Sequence, residues 1–344
     1  MRVAMLYGSE DLRIERVPMP RLQPGEVLVR VKTALTCGTD LKTYHRGSHV
    51  MINRLPSPFG HEFSGVVEEV SEEVEWIRPG TPVVAANSAP CLRCEFCKSG
   101  RHNLCDNLEF LNGAYAEFIA IPASIVRCNL HPIPMGMDPV QAALTEPLAC
   151  VLHGLERSNI QMGQSVCVLG VGPIGLMFVV LAARKGARVI AVGRSNNKLE
   201  RALRLGAHEA ISLDERRDPK RLILEKTPFS KGADVVIEAV GHPATWELAL
   251  EVVKKGGVVN LFGGCARGTK AHIDAHSLHY GDKTIISVFH HTPHFVSMAL
   301  RLLETRVIRA EDFVTHTLRL ENLESAFRYM ESGQALKVAI SIEE

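Results

Sequence analysis

The segment PCLRCEFCKSGRHNLC carries Cys91, Cys94, Cys97 and Cys105. Two-residue gaps let the first three thiolates converge on one point, and a short loop returns the fourth. Four soft donors of this kind make a closed tetrahedral zinc site. Arg93, Lys98, Arg101 and backbone amides stand ready to offset the two excess negative charges of such a site. A closed site has no vacancy for a substrate, so its role is structural.

Other ligand types are dispersed: Cys37 in TCGTD, His61 and Glu62 in GHEFSG, and Glu146 in TEPLAC. One thiolate, one imidazole and one carboxylate would neutralise a zinc ion and leave a fourth position open. An open position is where a Lewis-acid zinc takes an alcohol oxygen and lowers its pKa. Singly, a His or Glu beside Gly and Pro more often serves a turn or cap, and spacing alone does not bring these four together. A third signal is VLGVGPIG, with Gly170, Gly172 and Gly175 in G-x-G-x-x-G order and Pro173 and Ile174 between the last two. The first Gly makes a tight turn, the second admits a pyrophosphate to the backbone, and the third lets helix pack on strand.

The elements around these residues change character after Glu146-Pro147. Before it, EVLVRVKTAL and FSGVVEEV read as strands punctuated by Pro-Gly turns, which suggests an antiparallel, barrel-like domain. After it, strands SVCVLGVG, ARVIAVG, ADVVIEAVG and VVNLFGG alternate with helices PIGLMFVVLAARKGA, NNKLERALRLGA and ATWELALEVVKKGG. That alternation implies a parallel, doubly wound α/β sheet. The chain closes with helical FVSMALRLLETRVI, then LENLESAFRYMESG and a final strand LKVAISI.

At 344 residues, with 46% hydrophobic residues, the chain is long enough for two domains sharing a cleft. Lys+Arg 39 against Asp+Glu 38 gives a formal charge of +1, so no basic excess points to nucleic acid. The start lacks the apolar core of a signal peptide, and the longest apolar run, GLMFVVLAA, is closed by Arg184 and Lys185. Nine cysteines without an export signal argue for metal ligation over disulfides. The expectation is a cytoplasmic protein with no membrane partner.

In this order, the quoted segments resemble the zinc-containing medium-chain dehydrogenase/reductase family, closest to its polyol (sorbitol-type) and threonine dehydrogenase branch. The resemblance covers essentially the whole chain. It implies a GroES-like catalytic domain with a zinc lobe at 1–147, a dinucleotide-binding Rossmann domain at 148–288, and a return to the catalytic domain at 289–344. It further implies that Cys37 and His61 ligate a catalytic zinc, with Glu146 as the branch's carboxylate. Glu62 is the neighbouring acid, a direct ligand or an outer partner. Thr39 matches the hydroxyl that takes the proton from the alcohol. The family's outer relay is often a His five residues after the Cys; here Lys42 stands there, and Tyr44 or His45 is a substitute. Asp40 reads as a cap for the following turn. His290, His291 and His294 in FHHTPH fall at the return between domains, which favours a cleft or interface role over a third metal. Cys128, Cys150, Cys167 and Cys265 read as buried small apolar residues.

The expected activity is hydride transfer between a nicotinamide cofactor and an alcohol or ketone, with two zinc ions per chain. The favoured substrate is a polyol, a sugar-derived alcohol or a hydroxy amino acid; the alternative is a simple secondary alcohol. A zinc-free reductase of the same fold would lack both ligand sets, and a nucleotide-binding structural protein has no need of them. The acid that NAD-specific sites place at the end of the second strand is replaced by Gly193, followed by Arg194 and Ser195. Without that acid nothing repels a 2′-phosphate, and a guanidinium can bond its oxygens, which favours NADP over NAD. Stacking of Arg194 on the adenine would serve either cofactor. The branch is commonly tetrameric, so a homo-oligomer (tetramer or dimer) is expected.

Overall fold

The computed structural model describes residues 1–49, 51–52, 54–213 and 218–342. The chain divides into two compact units, one formed by Met1–Ala149 with His291–Glu344 and the other by Cys150–His290.

In the first unit the organising element is the strand Val27–Leu35. Its sequence VLVRVKTAL is rich in β-branched residues and is buried on both faces over most of its length. It pairs antiparallel with Phe63–Val70, with Phe118–Ile121 and with the C-terminal strand Lys337–Ser341. Beyond these lie Pro82–Ala85 and Leu130–Pro132 on one side and Val314–Arg319 on the other, which makes a 7-stranded sheet. All its pairs are antiparallel except Val314–Arg319 with Lys337–Ser341. A hairpin of Arg2–Gly8 and Asp11–Arg16, unread in the sequence, adds a smaller sheet. Val29, Val31, Phe63, Ile121, Phe327 and Ile340, each nearly inaccessible, meet in one apolar core. The C-terminal strand thus packs antiparallel beside Val27–Leu35, with Ala339 opposite Leu35, and puts its first residue, Lys337, just beyond the Leu35 end.

The second unit is a 6-stranded parallel sheet in the order Glu209–Ser212, Arg188–Gly193, Ser165–Leu169, Ala233–Glu238, Val253–Leu261, Thr284–Ser287. All five residues of Ser165–Leu169 are buried, as a central parallel strand requires. The order reverses beside this strand, which is the point where doubly wound sheets bind ligands. One boundary departs from expectation. The helix Pro243–Val252 stops before VKKGG, and that segment opens the strand Val253–Leu261. Val253 is buried and pairs with Ala233. A Cβ on Gly257 would stand 2.9 Å from Asp234 O. The close approach of neighbouring backbones claims these residues for the sheet.

Of the four cysteines read as buried, Cys167 is; Cys128, Cys150 and Cys265 are partly exposed. Cys128 instead directs its thiol to Ser124 O at 3.2 Å.

Candidate active site and metal centres

The strand Val27–Leu35 hands the chain through Thr36 to Cys37, the N-cap of the helix Gly38–Arg46. Cys37 is extended (φ −120°, ψ 150°), and its sulfur accepts the Thr39 N–H at 3.4 Å. Asp40 returns the favour by accepting the Cys37 N–H at 3.3 Å. This is a capping box with a thiol in the place of the usual hydroxyl. His61 and Glu62 come from the adjacent strand entry, where Gly60 turns the chain at φ +90°. Donor atoms of Cys37, His61 and Glu62 lie within 4.8 Å of one another.

Asp40 does more than cap. Its Oδ1 stands 2.8 Å from His61 Nδ1, with both groups buried. A carboxylate only accepts, so Nδ1 carries the proton and Nε2 is the nitrogen available to a metal. Burial disfavours a charged His61, but Asp40 and Cys37 outweigh it and hold the ring's pKa well above the ordinary value. Glu62 is wholly inaccessible; its Oε2 pairs with Lys337 Nζ, while Oε1 has no hydrogen-bond partner among the described residues. An orphaned buried carboxylate oxygen beside a thiol and an imidazole suits a zinc ion, which these three donors would help to hold. Lys337 also donates to Thr36 O at 2.9 Å. Burial works against its charge, yet Glu62 and Cys37 raise its pKa above that of a free lysine.

Glu146 lies in the first turn of the helix Thr145–Arg157, 6% exposed, and is outside the mutually close trio. Burial pushes its pKa up to about 7; His61 pulls it down and Glu62 pushes it up. Thr39 is half-buried two residues from Cys37, and Lys42 is exposed. Both nitrogens of His45 are engaged, Nδ1 with Glu10 at 2.7 Å and Nε2 with Glu331, and the Tyr44 ring packs on Phe327. Neither substitute for the outer relay is therefore a loose group.

The thiol lobe is built locally. Cys94 N-caps the short helix Glu95–Lys98, which carries Cys97, and Cys105 follows a single helical turn at His102–Leu104. The four donor atoms lie within 4.8 Å of one another. Metal–sulfur bonds of about 2.3 Å in a tetrahedron set sulfurs about 3.8 Å apart, and Cys94 Sγ stands 3.9 Å from Cys105 Sγ. The N–H groups of Cys91 and Asn107 point at Cys105 Sγ, at 3.2 and 3.3 Å. Amides of Arg93 and Cys94 lower the Cys91 thiol to about 6, while burial raises Cys97 to about 12. Backbone amides thus serve the thiolates, and the Arg93, Lys98 and Arg101 side chains are exposed.

In the second unit Gly170 turns at φ +108° after Ser165–Leu169, and Gly172 N-caps the helix Pro173–Arg184. A Cβ on Gly175 would fall 1.8 Å from Gly170 O, so the third Gly is obligatory for helix and strand to meet. Pro173 and Ile174 fill the first turn of this helix, half-buried. Gly193 ends the next strand, Arg194 is exposed, and Ser195 N-caps the helix Asn196–Arg204. A Cβ on Gly193 would come within 2.3 Å of Val171 Cγ2.

Three features went unread in the sequence: Lys337, Tyr115, whose hydroxyl donates to Asp40 Oδ2 at 2.6 Å, and the contact from Asp40 to His61. The signals were slight: a lysine heading an otherwise apolar strand, and a tyrosine in GAYAEF. His291 Nε2 bonds Asn87 Oδ1 at 3.0 Å, and among the described residues His290, His291 and His294 form no metal-ligating group with one another.

Family comparison accords with this architecture. Residues 23–134 match the alcohol dehydrogenase GroES-like domain, and residues 173–305 match the zinc-binding dehydrogenase domain. L-threonine 3-dehydrogenase of Bacillus velezensis is 31% identical over 340 residues, covering 95% of this chain and 94% of its own. Sorbitol dehydrogenase of Bombyx mori is 29% identical, covering 99% and 98%. A zinc-binding dehydrogenase of Sinorhizobium meliloti, solved bound to NADP, superposes with a TM-score of 0.90 at 30% identity over 99% of each chain. No helix among the described residues is long and apolar enough to cross a membrane. With its thiol lobe, its Cys37–His61–Glu62 group and its glycine-turned parallel sheet, the chain belongs to the zinc-binding medium-chain dehydrogenase/reductase family, in the branch of polyol and threonine dehydrogenases, and is an alcohol oxidoreductase of that kind.

Proposed function

We propose that this chain oxidises a carbinol carbon of a polyol, a sugar-derived alcohol or a hydroxy amino acid, or reduces the matching ketone, with NADP as the preferred hydride carrier. The observation that carries the reading is the buried group of Cys37, His61 and Glu62 with its orphaned carboxylate oxygen. Cys37 and His61 are the core ligands, Glu62 offers its unpaired Oε1 beside them while Lys337 restrains its Oε2, and likeness to the polyol and threonine branch adds Glu146 as a further carboxylate. A zinc ion bound there supplies Lewis acidity, which lowers the pKa of an alcohol. Asp40 keeps the His61 proton on Nδ1, and the Thr39 hydroxyl is the first relay for the proton that the alcohol loses, taking it up as it hands its own hydrogen outward. The second zinc belongs to Cys91, Cys94, Cys97 and Cys105 and holds the lobe together.

For the cofactor, the backbone at Gly170, Gly172 and Gly175 receives the pyrophosphate at the N-terminus of Pro173–Arg184. The NADP preference is supported by the missing acid at Gly193, by exposed Arg194 beside it, and by Ser195 as a further donor. Oligomerisation as a tetramer or dimer is part of the same reading, by likeness to the branch.

Metal analysis and a screen of polyols, cyclitols, amino alcohols and simple alcohols against NAD and NADP test it. Two zinc ions per chain and a polyol or amino-alcohol substrate are expected; a single metal, or turnover of simple alcohols alone, refutes the corresponding part. A higher kcat/KM with NAD than with NADP refutes the cofactor assignment. Given an NADP preference, Arg194→Ala should erase most of it. Gly193→Asp should reverse it only when Val171→Ala makes room.

A further inference from the structure

We propose that Tyr115 is a positioning residue for the dispersed metal site, acting through Asp40 on the His61 imidazole. The inference rests on the reading of Cys37 and His61 as ligands. Tyr115 is fully buried, and its hydroxyl donates to Asp40 Oδ2 at 2.6 Å, with Leu35 O a second acceptor at 3.2 Å. Asp40 gives its other oxygen to His61 Nδ1 at 2.8 Å. Phenol, carboxylate and imidazole therefore form a chain that ends at the ring nitrogen available to a metal. Apart from the phenol, Asp40 Oδ2 receives the Cys37 N–H at a long 3.3 Å. The phenol is thus the short, strong contact that stops the carboxylate rotating away from His61.

Tyr115 is itself held from several sides. Its ring stands edge-on to Phe59 at 5.9 Å and to Phe327 at 6.5 Å. Its backbone bonds Phe59 O at 3.0 Å and receives Ala4 N–H at 2.8 Å. The same ring lies across the α-carbon of Gly60, where a Cβ would come within 2.6 Å. Gly60 directly precedes His61, so Tyr115 constrains the imidazole twice: through the turn at φ +90° and through Asp40. A phenylalanine would fill the ring's space equally well. The hydroxyl is what the metal site gains from tyrosine.

Tyr115→Phe separates the two roles, because it keeps the ring and removes one oxygen. In the full-length protein, zinc release to a chromogenic chelator reads each site, and cobalt(II) in the dispersed site reports its ligand field. The expected result is release from the dispersed site about three- to tenfold faster, a step below the range seen for direct outer partners of metal-bound histidine. The cobalt bands shift, release from the four-cysteine lobe is unchanged, and Asp40→Asn has the larger effect of the same sign. A wild-type cobalt spectrum and release rate in Tyr115→Phe overturns the proposal. So does equal acceleration at both sites, which marks general loosening, or an effect exceeding that of Asp40→Asn. If Cys37→Ser removes no metal, the ligand reading itself fails; if it does and Tyr115→Phe is silent, only this proposal falls.

Discussion

The two cysteine-bearing centres are built in opposite ways. The four-thiol lobe gathers all its ligands from one short segment, Cys91 to Cys105, with Cys105 Sγ held by the amides of Cys91 and of Asn107 just beyond it. The dispersed group draws Cys37 from a helix cap, His61 and Glu62 from a strand entry, and Lys337 from the last strand of the sheet. A local site depends on its own loop, while a dispersed one depends on the whole sheet being in register. Loss of a thiol ligand from the first should cost stability; loss of a ligand from the second should cost chemistry.

That contrast is sharpest in a pair of substitutions. Cys37→Ser is expected to abolish turnover, by roughly three decades or more on the scale of losing Lewis-acid assistance, with the melting temperature of the fold kept. Cys94→Ser is expected to lose one metal and lower the melting temperature. Metal content, thermal melting and initial rates on both variants check it, and a single zinc that survives loss of Cys94 breaks the two-centre comparison. Within the dispersed group, Thr39→Ala should lower kcat by about two decades while zinc stays bound, and Thr39→Ser should keep most activity. A near-normal rate in Thr39→Ala would place the first proton acceptor elsewhere.

Lys337 tests how far the dispersed group leans on tertiary structure. Both members of its pair with Glu62 are almost completely buried, so removing one leaves an uncompensated charge. Lys337→Met is expected to lower unfolding stability by about 3–5 kcal/mol, measured by chemical denaturation, and no comparable cost should follow from Lys98→Met on the exposed lobe. The smallest effect lies at the far end of the Cys37 helix. His45 bridges Glu10 and Glu331, and those hydrogen bonds raise its pKa above the ordinary value. A raised histidine contributes stability that is full below its unfolded value of about 6.5 and vanishes as pH climbs past the folded one. His45→Ala should therefore lower the melting temperature at pH 6 and leave it unchanged at pH 9. An equal drop at both would mean packing, not charge, ties this helix down.

The thiol lobe was legible in the residues alone, because three ligands with two-residue gaps and a fourth returned by a short loop meet whatever the rest of the chain does. The parallel sheet and its glycine turn were legible too, since apolar runs alternating with amphipathic helices admit few other solutions and Gly170, Gly172 and Gly175 stand in G-x-G-x-x-G order between the first strand and helix. Tertiary structure alone decided that Cys37, His61 and Glu62 converge, because their approach depends on the antiparallel register of Val27–Leu35 with Phe63–Val70. It also decided that Lys337, 275 residues beyond Glu62, is the partner of that acid. No local pattern encodes a contact made across a sheet. A buried lysine or tyrosine looks in sequence like any other, and acquires its role when folding strips water from it and leaves one carboxylate within reach.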